Sequence, residues 1–286
     1  AMAVWKSKVR FIGAGAIGIA AIWTLITLIK PIIEGMKISV KSMNSSSAER
    51  ELHRMDTDMS TKSVLGVFIL ILIGLVFTFW DFVSVVPISA GLMWTLVVVG
   101  IVVALLIGFF VAAACGYMAG LIGTSASPIS GIGILATIIS SLVVYFIAAE
   151  NNLFATQEGV QFATAMAIFM TSVVIAIASI SNDNLQDLKT GQLVGATPWR
   201  QQIALLLGSV AGAIAIAPVL NLLYQAYGFT GALPRAEMDP NAALSAPQAT
   251  LMTTIAQGIF NSSMEWDYIL IGVGVGVVAI IVNLIL

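Results

Sequence analysis

Charge is what this sequence has least of. Of 286 residues only 9% are Asp, Glu, Lys or Arg, while 59% are hydrophobic. A soluble domain carries about 25% charged residues, so a fold surrounded by water is excluded. The net charge of −2 excludes the basic face that nucleic acid requires, and no polybasic run suggests a headgroup anchor. The single cysteine, Cys115, cannot close an internal disulfide, which leaves the redox compartment open. The single histidine, His53, has Glu49, Glu51 and Asp56 as its nearest acids. One His and one distant Cys do not make a metal centre. With that His in a polar loop, no Ser-His-Asp set can be assembled either. The expectation is no catalytic residue, no metal, no cofactor and therefore no enzyme. Ten-residue alternating strands are missing too, which excludes a membrane β-barrel. No cleavable signal is evident, because the first apolar run is too long and no small-residue site follows it.

What is present is long apolar runs. They lie at about 11–33, 64–86, 88–122, 129–149, 161–181, 203–227 and 268–286. Each is near the ~20 residues that cross a ~30 Å hydrocarbon core as helix. Lipid offers no partner for backbone polar groups, so such runs must be helical. The predicted fold is an all-α polytopic bundle over 1–286 with about seven transmembrane segments. A weaker stretch, 248–263, has Leu251, Met252, Ile255 and Ile259 at helical spacing, interrupted by Gln248, Thr253, Thr254 and Gln257. It reads as an interfacial or re-entrant helix, with a plain span as the alternative.

Lys37, Lys41, Arg50, Arg54 and Lys62 gather in 34–63, and Lys189 and Arg200 lie in 182–202. Connections 81–87 and 150–160 have no Lys or Arg, and 228–248 has only Arg235. Basic residues accumulate on the cytoplasmic side. The expectation is that 34–63 and 182–202 are cytoplasmic loops and the other three connections lie outside. Lys6, Lys8 and Arg10 oppose this, so the orientation of the first segment stays open.

Glycines mark helix packing. Gly116 with Gly120, Gly208 with Gly212, and the run at 272–276 supply small faces of the kind that let helices approach in lipid. Gly13, Gly15 and Gly18 also match the dinucleotide pattern G-x-G-x-x-G, with Glu34 at a suitable offset. That pattern needs a preceding strand and a soluble βαβ unit. Here apolar sequence continues, so close helix packing explains these glycines better.

Two polar signatures interrupt the apolar runs. In CGYMAGLIGTSASPISGIGI, residues 115–134, a long apolar segment meets Gly123, Thr124, Ser125, Ser127, Pro128, Ser130 and Gly131, then resumes. Proline lacks an N–H and disfavours helix before it, which predicts a helix end near Ala126 or Ser127. A broken or re-entrant element of this kind lines a midplane substrate site in secondary transporters; the other reading is a tight cytoplasmic turn. Tyr117 could stack on or hydrogen-bond a peptide-like substrate, lipid anchoring being its commoner role. In SNDNLQDLKTGQLVGATPWRQQ, residues 181–202, the residues Asn182, Asp183 and Asp187 are candidates for a gate or coupling site, against a structured loop. Acids within the apolar runs would mark function by default. Asp81, Glu150, Glu265 and Asp267 all fall near segment ends.

Those signatures, with RFIGAGAIGIAAIWTL and IAPVLNLLYQAYGF, resemble the prokaryotic branch of the oligopeptide transporter (OPT) family, related to the yellow-stripe-like metal-chelate carriers. The resemblance runs from about Arg10 to Phe229, and more loosely to the end. Ala126 departs from the family, where an asparagine is common. The resemblance implies proton-coupled uptake of small peptides or peptide-like metal chelates, a chain about twice as long, and a prokaryotic cytoplasmic membrane. The expected partners are the lipid bilayer, such a substrate, protons, and either a missing part of the chain or a homo-oligomer partner. The expected mechanism is symport by alternating access. An uncoupled channel or permease subunit is the alternative. A membrane enzyme would need a convergent acid/base set that this chain lacks.

Overall fold

The computed structural model describes residues 4–44, 54–240 and 242–285. His53, with Glu49 and Glu51, lies outside these residues. Among the described residues the chain folds into eight α-helices and no β-strand. They are α1 (Arg10–Asn44), α2 (Thr61–Ser84), α3 (Ala90–Leu121), α4 (Ile129–Glu150), α5 (Gln157–Val194), α6 (Pro198–Tyr227), α7 (Pro247–Phe260) and α8 (Trp266–Ile285). Seven of them are long and apolar enough to cross a bilayer. These are the seven segments legible in the sequence, and the chain is a multi-pass integral membrane protein.

The helix ends have local causes. Ser60, Ser89 and Thr156 accept hydrogen bonds from the N–H groups of Ser63, Leu92 and Gly159, which satisfies donors that have no partner within the helix. Gly195, at φ 73°, closes α5 in the left-handed conformation. The Ala196 N–H then reaches the Gly191 carbonyl at 2.8 Å, a pattern that glycine permits at low cost. Pro198 opens α6 at a position where no N–H is needed.

Several boundaries differ from expectation. The stretch 182–202 is not a loop, because α5 continues through Val194. Leu185 and Leu188 extend its apolar spacing, and Leu185 lies against Gly116. Residues 34–44 likewise belong to α1. Within 248–263, α7 has 14 residues, about 21 Å at 1.5 Å each, short of a hydrocarbon core. Its Met252, Ile255, Ala256, Ile259 and Phe260 are buried, so it is neither a plain span nor a helix lying on a surface.

The core sits where α3, α4 and α5 meet. Phe79 from α2 lies over Gly100, where a Cβ would fall 2.5 Å from its ring. Below it pack Val97, Val144, Ala163, Met166 and Met170. α3 and α5 run parallel, with Gly108 beside Ile177 and Gly116 beside Ser181. α4 runs antiparallel to α5, since Gly133 faces Ile175 and Ser127 meets Asn182.

A second tight contact joins α1 to α8. A Cβ on Gly15 would lie 2.1 Å from the Ile269 carbonyl oxygen, and one on Gly272 would lie 2.0 Å from that of Ile12. Of the dinucleotide-like glycines, Gly15 therefore serves backbone-to-backbone helix packing. Gly13 and Gly18 meet nothing within 4 Å. At the start of this pair the Lys8 ammonium sits over the Tyr268 ring, 5.3 Å from its centre. A hydrogen bond to that phenol raises the Lys8 pKa. Gly208 and Gly212 meet nothing within 4 Å either, because α6 buries no residue.

Candidate functional site

The break between α3 and α4 is built by glycine before proline acts. Gly123 stands at φ 114°, a conformation that side chains resist, so α3 ends at Leu121 and not near Ala126 or Ser127. A single 3-10 turn follows at Thr124–Ala126. Pro128 then sits at the head of α4, and its carbonyl accepts the Ile132 N–H at 2.9 Å. Its fixed φ starts a helix here instead of stopping one. Ile129, Ser130 and Gly131 already belong to α4, so the backbone outside α-helix is confined to 122–128.

This break folds back into the bundle. Ser127 Oγ lies 3.3 Å from the Cys115 carbonyl, six residues before the end of α3, which is about 9 Å along the helix axis. Ser127 also donates to Asn182 Oδ1 at 2.5 Å. Asn182 is 3% exposed. One residue earlier, Ser181 Oγ donates at 2.7 Å to the Ala112 carbonyl, about one turn before Cys115 on α3. The two polar signatures thus meet where the half-buried Ser127 reaches the buried Asn182, both neutral and supported by α3 carbonyls. Such a pair can hold or release a polar ligand without transferring a charge.

The other sequence candidates lie around this pair at different depths. Gly123, Thr124 and Pro128 are half-buried, and Gly131 is buried. A Cβ on Gly131 would fall 2.7 Å from that of Ala21, which ties α4 to α1. Tyr117, Ser125 and Ser130 are exposed. Asp183 and Asp187 are exposed as well. Asp187 lines a cleft of about 600 Å3 with Gln201, Gly208 and Ser209, between α5 and α6. The structure brings Asn182, and neither acid, to the break.

Sequence reasoning missed a further set. The fully buried polar side chains Thr137, Ser140 and Ser141 lie on α4, and Thr171 with the nearly buried Thr164 lies on α5. Thr137, Thr164 and Thr171 each donate to the carbonyl four residues earlier. Ser140 Oγ and Ser141 Oγ have no hydrogen-bond partner among the described residues. The readable signal was a Ser-Ser pair at the centre of an apolar segment, with hydroxyls repeating every seven residues on the next. Beyond Thr164, a cavity of about 430 Å3 is lined by Gln157, Gln161, Gln257 and Asn261.

The chain matches the family described as OPT oligopeptide transporter protein across residues 1–286. It is 56% identical over 283 residues to a protein of Haemophilus influenzae named "Putative oligopeptide transporter". That alignment covers 99% of this chain and 44% of the relative, so the chain spans less than half the relative's length. No solved structure matches it.

Proposed function

Because the chain belongs to the OPT oligopeptide transporter family, we propose that it forms part of a secondary active transporter for small peptides or peptide-like metal chelates. In this reading protons drive symport by alternating access in the prokaryotic cytoplasmic membrane. Further sequence of the kind that fills the rest of the longer relative, or a second copy, completes the cavity.

The observation that carries the reading is the hydrogen bond between Ser127 and Asn182. It joins a broken helix to a long continuous one inside the bundle, and broken helices of this kind build substrate sites in secondary transporters. Gly123, Thr124, Ser125, Ser127, Pro128, Ser130 and Gly131 surround the substrate side of this contact, with Tyr117 nearby. Asn182 holds the gate shut. Asp183 and Asp187, on the same helix, are the candidates to take up a coupling proton.

The test is uptake of a radiolabelled tripeptide into proteoliposomes carrying this segment in its native polypeptide. A symporter accumulates peptide above the external concentration under an inward proton gradient and loses it when a protonophore is added. Equilibration without accumulation supports the uncoupled channel instead. Absence of any peptide flux removes the transporter reading.

A further inference from the structure

The buried polar side chains are not scattered. On α5, Thr164, Thr171 and Asn182 are spaced 7 and 11 residues apart, which returns to the same helix face after five turns. On α4, Thr137 and Ser140 share a face with Val144, which packs in the cluster of Ala163, Met166 and Ala167 on α5. Ser141 shares a face with Ile134, which packs against Ile255 and Ile259 of α7. With α4 and α5 antiparallel, Thr137 and Ser140 lie on the α5 side with Thr164 and Thr171, Ser141 lies on the α7 side, and together they mark a seam through the helix contact. One end is the Ser127–Asn182 pair. The other is the amide-lined cavity at Thr164, where α7 delivers Gln257 and Asn261.

The seam contains one anomaly. A buried hydroxyl without a partner costs free energy, and in lipid the cost is not relieved by water outside. Thr137, Thr164 and Thr171 avoid it by bonding to their own helix. Ser140 and Ser141, both 0% exposed and adjacent at the centre of α4, do not. A second conformation that pairs them would remove this cost. The cavity supplies the matching chemistry, since its four carboxamide side chains form no hydrogen bond elsewhere among the described residues. Carboxamides both donate and accept, as a peptide backbone does. A volume near 430 Å3 also falls within the ~300–1,000 Å3 of small-molecule pockets.

We propose that the α4–α5 seam is the route by which the backbone amides of a peptide cross the bundle. Gln157, Gln161, Gln257 and Asn261 receive the peptide at one mouth, and Ser140 and Ser141 are its midway hydrogen-bonding contacts. They stand unpartnered because the structure is closed between them and both mouths. This inference rests on the peptide-transport reading and adds to it a path and two contact residues.

The experiment compares wild type with Ser140→Ala/Ser141→Ala, with the segment in its native polypeptide. Kinetics of tripeptide uptake are measured together with the melting temperature in detergent. The expected result is a fall of about tenfold in kcat/KM, from two lost hydrogen bonds. At the same time the melting temperature rises by roughly 2 °C or more, because two unpaired buried groups are gone. A merely structural pair of hydroxyls gives the opposite thermal shift. Uptake by the double variant equal to wild type overturns the path, and so does a lowered melting temperature, which would mean the hydroxyls have protein partners. A second measurement uses Ser141→Cys in a Cys115→Ala background. A small methanethiosulfonate reagent should modify it, and saturating tripeptide should slow the reaction at least tenfold. No modification overturns the path. Wild type that moves no peptide overturns the transport reading and the inference with it, whereas normal wild-type uptake with unchanged variants removes the inference alone.

Discussion

Ser127 and Asn182 stand 55 positions apart in the chain and are joined by one hydrogen bond of 2.5 Å between side chains. Ser127 belongs to the break before α4, while Asn182 lies well inside the 38-residue helix α5. The break is held in place by this bond, with the Cys115 carbonyl 3.3 Å away as the alternative acceptor for the same hydroxyl.

Ser127→Leu should therefore abolish peptide uptake while membrane insertion is retained. The leucine removes the donor, leaves Asn182 unpaired and fills space that substrate would use. Leaving a buried amide unsatisfied costs about 1–3 kcal/mol, which predicts a lowered melting temperature. Asn182→Ala should cost less stability, because the remaining hydroxyl can turn to the Cys115 carbonyl. It should still lower uptake. Normal transport by Ser127→Leu would count decisively against a site at the break.

The glycine contacts give a prediction independent of transport. Gly15→Ala places a Cβ where the Ile269 carbonyl sits and forces α1 from α8. Overpacking of this kind typically costs about 1–3 kcal/mol. Gly13→Ala meets open space, so it should be neutral or stabilise by roughly 0.5–1 kcal/mol through helix propensity alone. Thermal unfolding in detergent separates the two. Equal melting temperatures would mean that the α1–α8 contact does not form.

Length and apolarity were enough to read the seven spans, because lipid leaves helix as the only way to pair their backbone. Hydropathy alone misled at 182–194. There Asn, Asp and Gln suggested a loop, yet Leu185 packs on Gly116 and keeps the helix going. The break was found but assigned to Pro128, whereas the φ of Gly123 makes the turn and Pro128 starts the next helix. Ser140 and Ser141 escaped notice because hydroxyls barely lower the apolarity of a segment. Their significance lies in lacking partners, which only the packed structure reveals.

Sidedness is a further prediction. The structure gathers 54–60 with 195–202, since the Trp199 N–H reaches the Thr57 carbonyl at 3.2 Å and the Met59 N–H reaches Gln202 at 3.1 Å. Lys and Arg gather in the wider stretches 34–63 and 182–202, so the expectation is that this end faces the cytoplasm. In a Cys115→Ser background, Lys189→Cys should react with an impermeant maleimide only after the membrane is opened. Glu237→Cys should react in intact cells. Labelling of Lys189→Cys from outside would invert the orientation.

α6 supports the last prediction, that this chain alone does not transport. Its 30 residues include none that is buried, although α3, α4 and α5 each bury ten or more. A Cβ added at Gly208 or Gly212 would meet nothing within 4 Å, and Gly208 with Ser209 lines the open cleft beside Asp187. A small-residue face with nothing against it is where another helix can approach closely. The relative at 56% identity extends well beyond the part this chain matches, so sequence of that kind is the expected occupant. Gly208→Leu/Gly212→Leu should leave the melting temperature of the 286-residue chain unchanged or slightly raised, because nothing here is displaced and leucine favours helix over glycine. In the native polypeptide the same substitutions should lower both melting temperature and uptake, since overpacking a helix contact typically costs about 1–3 kcal/mol. Uptake by the chain as a detergent-stable monomer would sink this idea. Uptake by a dimer would assign the occupant of the α6 face to a second copy.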